Sequence, residues 1–158
     1  MHDKFPELNL PAAPLKIDGD GRGGFRVFDV LRRRAVALTP EEWVRQNFVY
    51  FLISEREFPP QFMANEVALT LNGTSRRADT MVYTRGLLPL VVVEYKAPEI
   101  TVGQKVFDQI ARYNSVMQAP FLIVSNGMHH YCCRYGADGA YRFLPGIPTY
   151  AEMLACVK

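Results

Sequence analysis

An acid and a lysine stand two residues apart at the end of the most apolar run in this chain. The run is Leu90-Val91-Val92-Val93, and Glu94, Tyr95 and Lys96 follow it. Successive β-branched valines favour a buried strand. Side chains alternate along a strand, so Glu94 and Lys96 share one face while Val93 and Tyr95 take the other. Charges on so apolar a strand are costly unless they are paired or hold a metal. A further acid, Asp79, closes the sequence Arg76-Arg77-Ala78-Asp79, which leads into the β-prone Thr80-Met81-Val82-Tyr83. Two carboxylates beside a lysine can pair with it or hold a hard divalent cation. Taken singly, each residue also has a plain structural explanation. Glu94 and Lys96 could be an ion pair at the sheet end, and Asp79 could pair with Arg77.

The surrounding elements must bring these residues together. Thr39, Pro40 and Glu42 have the spacing of a helix start, with Thr39 as N-cap, Pro40 at the first position and Glu42 closing a capping box. The helix is expected to run to about residue 54, with Val44, Phe48, Phe51 and Leu52 on its apolar face. At ~100° per residue, Glu41 projects toward that face, within reach of Arg45, while Glu42 projects away. Glu41 is therefore the odd acid and the candidate site residue. Residues 66–71 and 77–83 read as two strands joined at Asn72-Gly73, a strong hairpin signal. Arg85-Gly86 marks a second turn, residues 90–96 a third strand, and Pro98 stops the ladder. Residues 104–117 form a second amphipathic helix, with Val106, Phe107, Ile110 and Met117 inward and Gln109 and Tyr113 one turn apart on its flank. Strands follow at 121–124, 129–135 and 141–144. The order predicts an α/β fold, a mixed central sheet flanked by helices.

The remaining stretches are less informative. Residues 1–24 are rich in proline and glycine and read as an extended, loosely held arm before a single domain at 25–158. A short strand is expected at 25–31. Arg32-Arg33-Arg34 is either a solvated turn or a phosphate contact. Hydrophobic residues make up 49% of the chain and charged residues 22%, the balance of an ordinary soluble globular protein, here expected to be cytoplasmic. No apolar run approaches the ~20 residues of a membrane span, and the N-terminus does not read as a signal peptide. The net charge of +2 neither demands nor excludes nucleic acid. Cys132, Cys133 and Cys156 have no metal-ligand spacing and are expected to be buried thiols. His129 and His130 read as surface or satisfied residues, and Trp43, Tyr131, Tyr135 and Tyr141 as packing. No phosphate-cradling loop, dinucleotide fingerprint or nucleophile elbow is present, which disfavours a motor, a Rossmann site and an α/β-hydrolase.

Helix acid, hairpin, Asp on the second strand, Glu-x-Lys on the third and then a helix: this order resembles the PD-(D/E)XK nuclease superfamily. The strings T-P-E-E-W-V-R-Q, R-R-A-D, V-V-E-Y-K-A-P, F-D-Q-I-A-R-Y-N and I-V-S-N-G together resemble the N-terminal nuclease domain of type I restriction enzyme R subunits, and more closely its small stand-alone relatives. The resemblance implies a restriction-endonuclease-like fold and Mg²⁺- or Mn²⁺-dependent hydrolysis of DNA. It makes Asp79 and Glu94, with the backbone carbonyl of Tyr95, the metal ligands, and Lys96 the catalytic lysine. Glu41 matches the first-helix acid. Gln109 and Tyr113 match the family's Q-x-x-x-Y beside the site, and they join Arg76 and Arg77 as expected nucleic-acid contacts. Lys96, between carboxylates, is expected to keep its charge and to orient water and stabilise the transition state. Ala78 stands where the motif name has proline. The motor of the restriction subunit is missing, so a protein partner supplying specificity or translocation is implied. The alternative is a non-cleaving module of the same fold that binds nucleic acid or a protein.

Overall fold

The computed structural model describes residues 4–71 and 73–157, with the side chains of Leu71, Tyr113, Ser115, Val116 and Met117 left aside. Two antiparallel strands, β4 (Met63–Leu71) and β5 (Thr74–Tyr83), alternate as expected and form a hairpin; Gly73 at its tip has φ +76°, a left-handed turn conformation that glycine adopts freely. Asn72, the other half of the expected turn signal, lies outside the described residues. The valine run forms β6 (Pro89–Tyr95), buried on both faces. Its parallel pairing with β7 (Phe121–Ser125) requires a crossover, and α2 (Gln104–Met117) supplies it. Two further strands, β8 (His130–Tyr135) and β9 (Tyr141–Phe143), complete a six-stranded sheet in the order β4-β5-β6-β7-β8-β9. The sheet is mixed: β6–β7 is parallel and its other pairings are antiparallel. The fold is therefore α/β, as the element order implies.

Helix α1 (Pro40–Glu55) covers one face of this sheet. Val44, Phe48 and Leu52 meet Val91, Val93, Phe121 and Ile123 there, joined by Tyr150 and Met153 of a short helix α3 (Tyr150–Cys156). Phe107 and Ile110 of α2 cover the other face against Val92, Leu122 and Val124. A small second sheet, β1 (Ile17–Gly19), β2 (Phe25–Asp29) and β3 (Arg34–Ala37), packs through Val27 and Val36 beside Phe5 and Trp43.

Several expectations need correction. Strands β1 and β3 and helix α3 were not foreseen, because each is short and only half-buried and so lacks a clear period. The proline-rich N-terminal stretch is extended but fastened: Phe5 is buried, the Trp43 indole donates to the Pro6 carbonyl, and Asn9 bonds the backbone of Gly127. Arg32 is neither a solvated turn residue nor a phosphate contact, since it pairs with buried Asp29 and Glu42. Cys132 and Cys133 are buried, whereas Cys156 is exposed. His130 is satisfied, its ring bonded to Ser125 and to the Asn9 carbonyl, and His129 is exposed.

Candidate active site

At the end of β5 the strands part. Thr80–Val93 is the last pair between β5 and β6, and Asp79 and Glu94 stand opposite each other just beyond it. Opposed residues on neighbouring strands share a face, so both carboxylates project to the α2 side. The Asp79 carboxylate is thus a close neighbour of the Glu94 carboxyl. Tyr95 donates its backbone N–H to Asp79 Oδ2 at 2.8 Å, so a side chain has taken a bond that the ladder would otherwise make. Lys96 follows on the Glu94 face. Its own N–H is tied to the Ser125 carbonyl of β7, which fixes the strand end beneath the lysine.

These residues line one cleft of about 230 Å³. Glu41, Arg76, Arg77, Asp79, Glu94, Tyr95, Lys96, Gln109 and Ile110 enclose it, so most of the residues singled out in the sequence converge. The Tyr113 side chain lies outside the described residues. A larger hollow of about 680 Å³ beside Leu88 and Leu154 has Arg85 as its one charged lining residue. The acids and the lysine thus mark the smaller cleft as the place where chemistry is possible.

Within the cleft, Glu94 is the carboxyl whose charge is disfavoured. Burial first, and then the facing Asp79 carboxylate, push the Glu94 carboxyl up to about 9, although Lys96 and Arg76 oppose the shift. A carboxyl kept neutral by burial and a neighbouring acid becomes a ligand when a cation enters. Among the described residues no three His, Cys, Asp or Glu side chains converge as a metal cage. Two neighbouring carboxylates lining a cleft instead fit Mg²⁺, which keeps several waters and takes few protein ligands.

The expected phase of α1 needs correction. Glu42, expected to project away from the core, is 5% exposed, and Glu41 is exposed at the cleft. Helix α1 is buried along two stripes. One is Val44, Phe48 and Leu52. The other is Glu42, Arg45, Gln46 and Val49, at helical i, i+3, i+4, i+7 spacing. The direction that is core for Phe48 opens onto the cleft for Glu41, one helix end away. The capping box is only half formed: Thr39 Oγ accepts from the Glu42 N–H, but the Glu42 carboxylate is taken up by Arg32, Arg45 and Gln46. Arg45 pairs with Glu42 and Glu66 rather than Glu41, and Arg77 approaches Glu66 at 3.8 Å.

Arg45, expected to pair with Glu41, and Glu66, expected only as a strand residue, therefore bear on the site. Arg45 donates from Nη1 to the Asp79 carbonyl at 2.7 Å and from Nη2 to Glu66 at 2.6 Å. Glu66 lies in β4 at φ +57°, a left-handed conformation costing a non-glycine residue roughly 1–2 kcal/mol. The signal for Arg45 was present, as a polar stripe on α1 at core spacing.

A family model for the type I restriction enzyme R protein N terminus (HSDR_N) matches residues 40–148, more than half of the chain. No curated protein matches significantly. Among solved structures, the fragment structure described as an HsdR subunit of a type I restriction enzyme from Vibrio vulnificus YJ016 is similar. Identity is 24%, the TM-score is 0.45, and the match covers 65% of this chain and 22% of that one. The chain thus spans under a quarter of that relative's length. On the family match, the chain belongs to the type I restriction enzyme R protein N-terminal family.

Proposed function

We propose that this chain is a divalent-metal-dependent nuclease domain that hydrolyses phosphodiester bonds of DNA. The observation that carries this reading is the convergence of Asp79, Glu94 and Lys96 at a splayed strand end, in a cleft that also holds Glu41 and Gln109. Asp79 and Glu94 would hold Mg²⁺ or Mn²⁺, and the Tyr95 carbonyl would offer a third oxygen. When bound, the ion supplies a water of lowered pKa and polarises the scissile phosphate. Lys96 orients that water and meets negative charge growing on the phosphate. Gln109 and Glu41 border the same space and position the nucleophile and the backbone. Arg76 and Arg77, exposed at the rim, contact flanking phosphates and carry no sequence information themselves. Tyr113 joins Gln109 in contacting nucleic acid. Family membership supports partner subunits that bring specificity or a motor to the chain.

The test is cleavage of linear and supercoiled double-stranded DNA with Mg²⁺ or Mn²⁺, comparing the natural chain with Asp79→Ala. Metal-dependent cleavage that disappears in Asp79→Ala is the expected result. Mn²⁺ binding that survives Asp79→Ala unchanged removes Asp79 from the metal role. Salt-sensitive DNA binding without cleavage by the natural chain, under any divalent metal, establishes the non-cleaving module instead.

A further inference from the structure

Asp79 occupies an unusual place in the sheet. On the β6 side, pairing ends at Thr80–Val93. On the β4 side, Asn65–Thr80 and Val67–Ala78 pair in register, yet Glu66 and Asp79 between them do not. Neither ladder therefore includes the residue whose carboxylate faces Glu94. The gap in β4 is Glu66 itself, whose left-handed backbone turns it out of the ladder. Something else must hold the Asp79 backbone, and the candidate is visible. Arg45 Nη1 donates to the Asp79 carbonyl, while Nε and Nη2 are fixed by Glu42 at 2.9 and 3.1 Å and by Glu66 at 2.6 Å.

We infer that Arg45 is a positioning residue, clamping the Asp79 backbone in the place of a missing ladder partner so that the carboxylate meets Glu94. The planar guanidinium suits this task because it directs several N–H groups at fixed angles. Its anchorage runs back through Glu42 to Arg32 and Asp29, so the β2–β3 turn and the first turn of α1 together fix the clamp. The left-handed Glu66 then has a reason to persist. It vacates the ladder position beside Asp79 and supplies the carboxylate that aims the guanidinium. Strain of this kind gathers at functional sites. The same arrangement explains why a helix face phased for the core carries Glu42 and Arg45 rather than leucines.

The inference rests on the metal-site reading only for its second readout. Arg45→Met removes the buried cation that Glu42 and Glu66 share and risks unfolding, so the working variant is Arg45→Lys, whose ammonium keeps the charge but not the fork. The first readout is amide hydrogen exchange in the metal-free protein. Tyr95 N–H is bonded to the Asp79 carboxylate, whereas Val93, two residues earlier, lies within the ladder with Thr80. In Arg45→Lys the Tyr95 amide should exchange faster while Val93 stays protected, because the clamp is local. A merely structural role would expose both or neither. The second readout is Mn²⁺ affinity of the folded variant by electron paramagnetic resonance. It should fall ~10- to 100-fold, the scale for losing a group that orients a metal ligand. Unchanged Tyr95 protection, or unchanged Mn²⁺ affinity where Asp79→Ala abolishes it, overturns the clamp. Mn²⁺ binding that persists in Asp79→Ala overturns the metal reading, and the exchange result then decides on Arg45 alone.

Discussion

The stretch of sheet around Asp79 carries acids on both faces, and the two sets are treated oppositely. On the α1 side, Asp29 and Glu42 are saturated, and Glu66 is paired with Arg45. Asp29 is wholly buried and accepts from the Leu31 and Arg32 backbone, the Arg32 side chain and Asn65. Glu42 accepts from Arg32, Arg45 and Gln46. On the α2 side, Asp79 and Glu94 face each other across a cleft. Burial pushes Asp29 up, but its hydrogen bonds, Asn65 first, outweigh that and hold it below the usual carboxylate range. Glu94 is pushed the other way. Burial is common to both; the partners differ. Acids that serve the fold have their lone pairs filled from within the chain, and acids that serve a ligand are left short of positive charge.

The strongest way to break this contrast is to strip an acid from the saturated side. Glu42→Ala should destabilise the protein by ~3–5 kcal/mol, because Arg32 and Arg45 keep buried charge with half of its compensation gone. Asp79→Ala should cost far less, since it removes repulsion from Glu94 along with the Tyr95 N–H bond. Urea denaturation of both variants without metal checks this. Equal losses would show that the two sides are not distinct in kind.

That contrast also marks what the sequence could and could not reveal. The valine run, the hairpin and α2 were legible because each follows one clear period over many residues. Glu94 and Lys96 were legible as charges where β periodicity demands a buried strand end. The burial of Glu41 and Glu42 came out reversed, because the apolar stripe of Val44, Phe48 and Leu52 defines only one buried face of α1. The second face meets Arg32 of the β2–β3 turn and Glu66 of β4, partners that no local pattern announces. Arg45 was matched to Glu41 for the same reason: its partners Glu66 and the Asp79 carbonyl are distant in sequence. Backbone conformation at Glu66 has no local signal, since Glu rarely adopts φ above zero.

A second prediction sharpens the contrast on the open side. Lys96→Ala should fold with stability close to that of the natural chain and lose metal-dependent cleavage by ~10²-fold or more, the scale for one preorganised electrostatic contact. The lysine stands just past a strand end, partly buried, and its backbone bond to Ser125 does not depend on the side chain. Cleavage that persists undiminished would place the chemistry elsewhere.

The smallest expected effect is the most discriminating, because the two acid sets should respond to opposite ends of the pH scale. Asp29 is depressed in the folded protein, so its contribution is complete above the ordinary carboxylate range and is lost only as pH falls through its lowered value. Glu94 is raised to about 9 from 4.5. Between those values the folded protein holds a proton that the unfolded chain has released. Without metal, stability therefore falls as pH rises across that window, by at most ~1.4 kcal/mol per unit. Glu94→Gln removes the titration and the repulsion from Asp79 together. At pH 8 in chelator the variant should be more stable than the natural chain by about 1–2 kcal/mol, with little difference near pH 5. Added Mg²⁺ should reverse the order at pH 8, since binding to the folded state alone stabilises the natural chain and the amide is a poorer ligand. Denaturation curves at pH 5 and 8, with chelator and with Mg²⁺, measure all four corners. If the natural chain is equally stable at both pH values in chelator, Glu94 is paired as completely as Glu42, and its claim to be a ligand falls with the contrast.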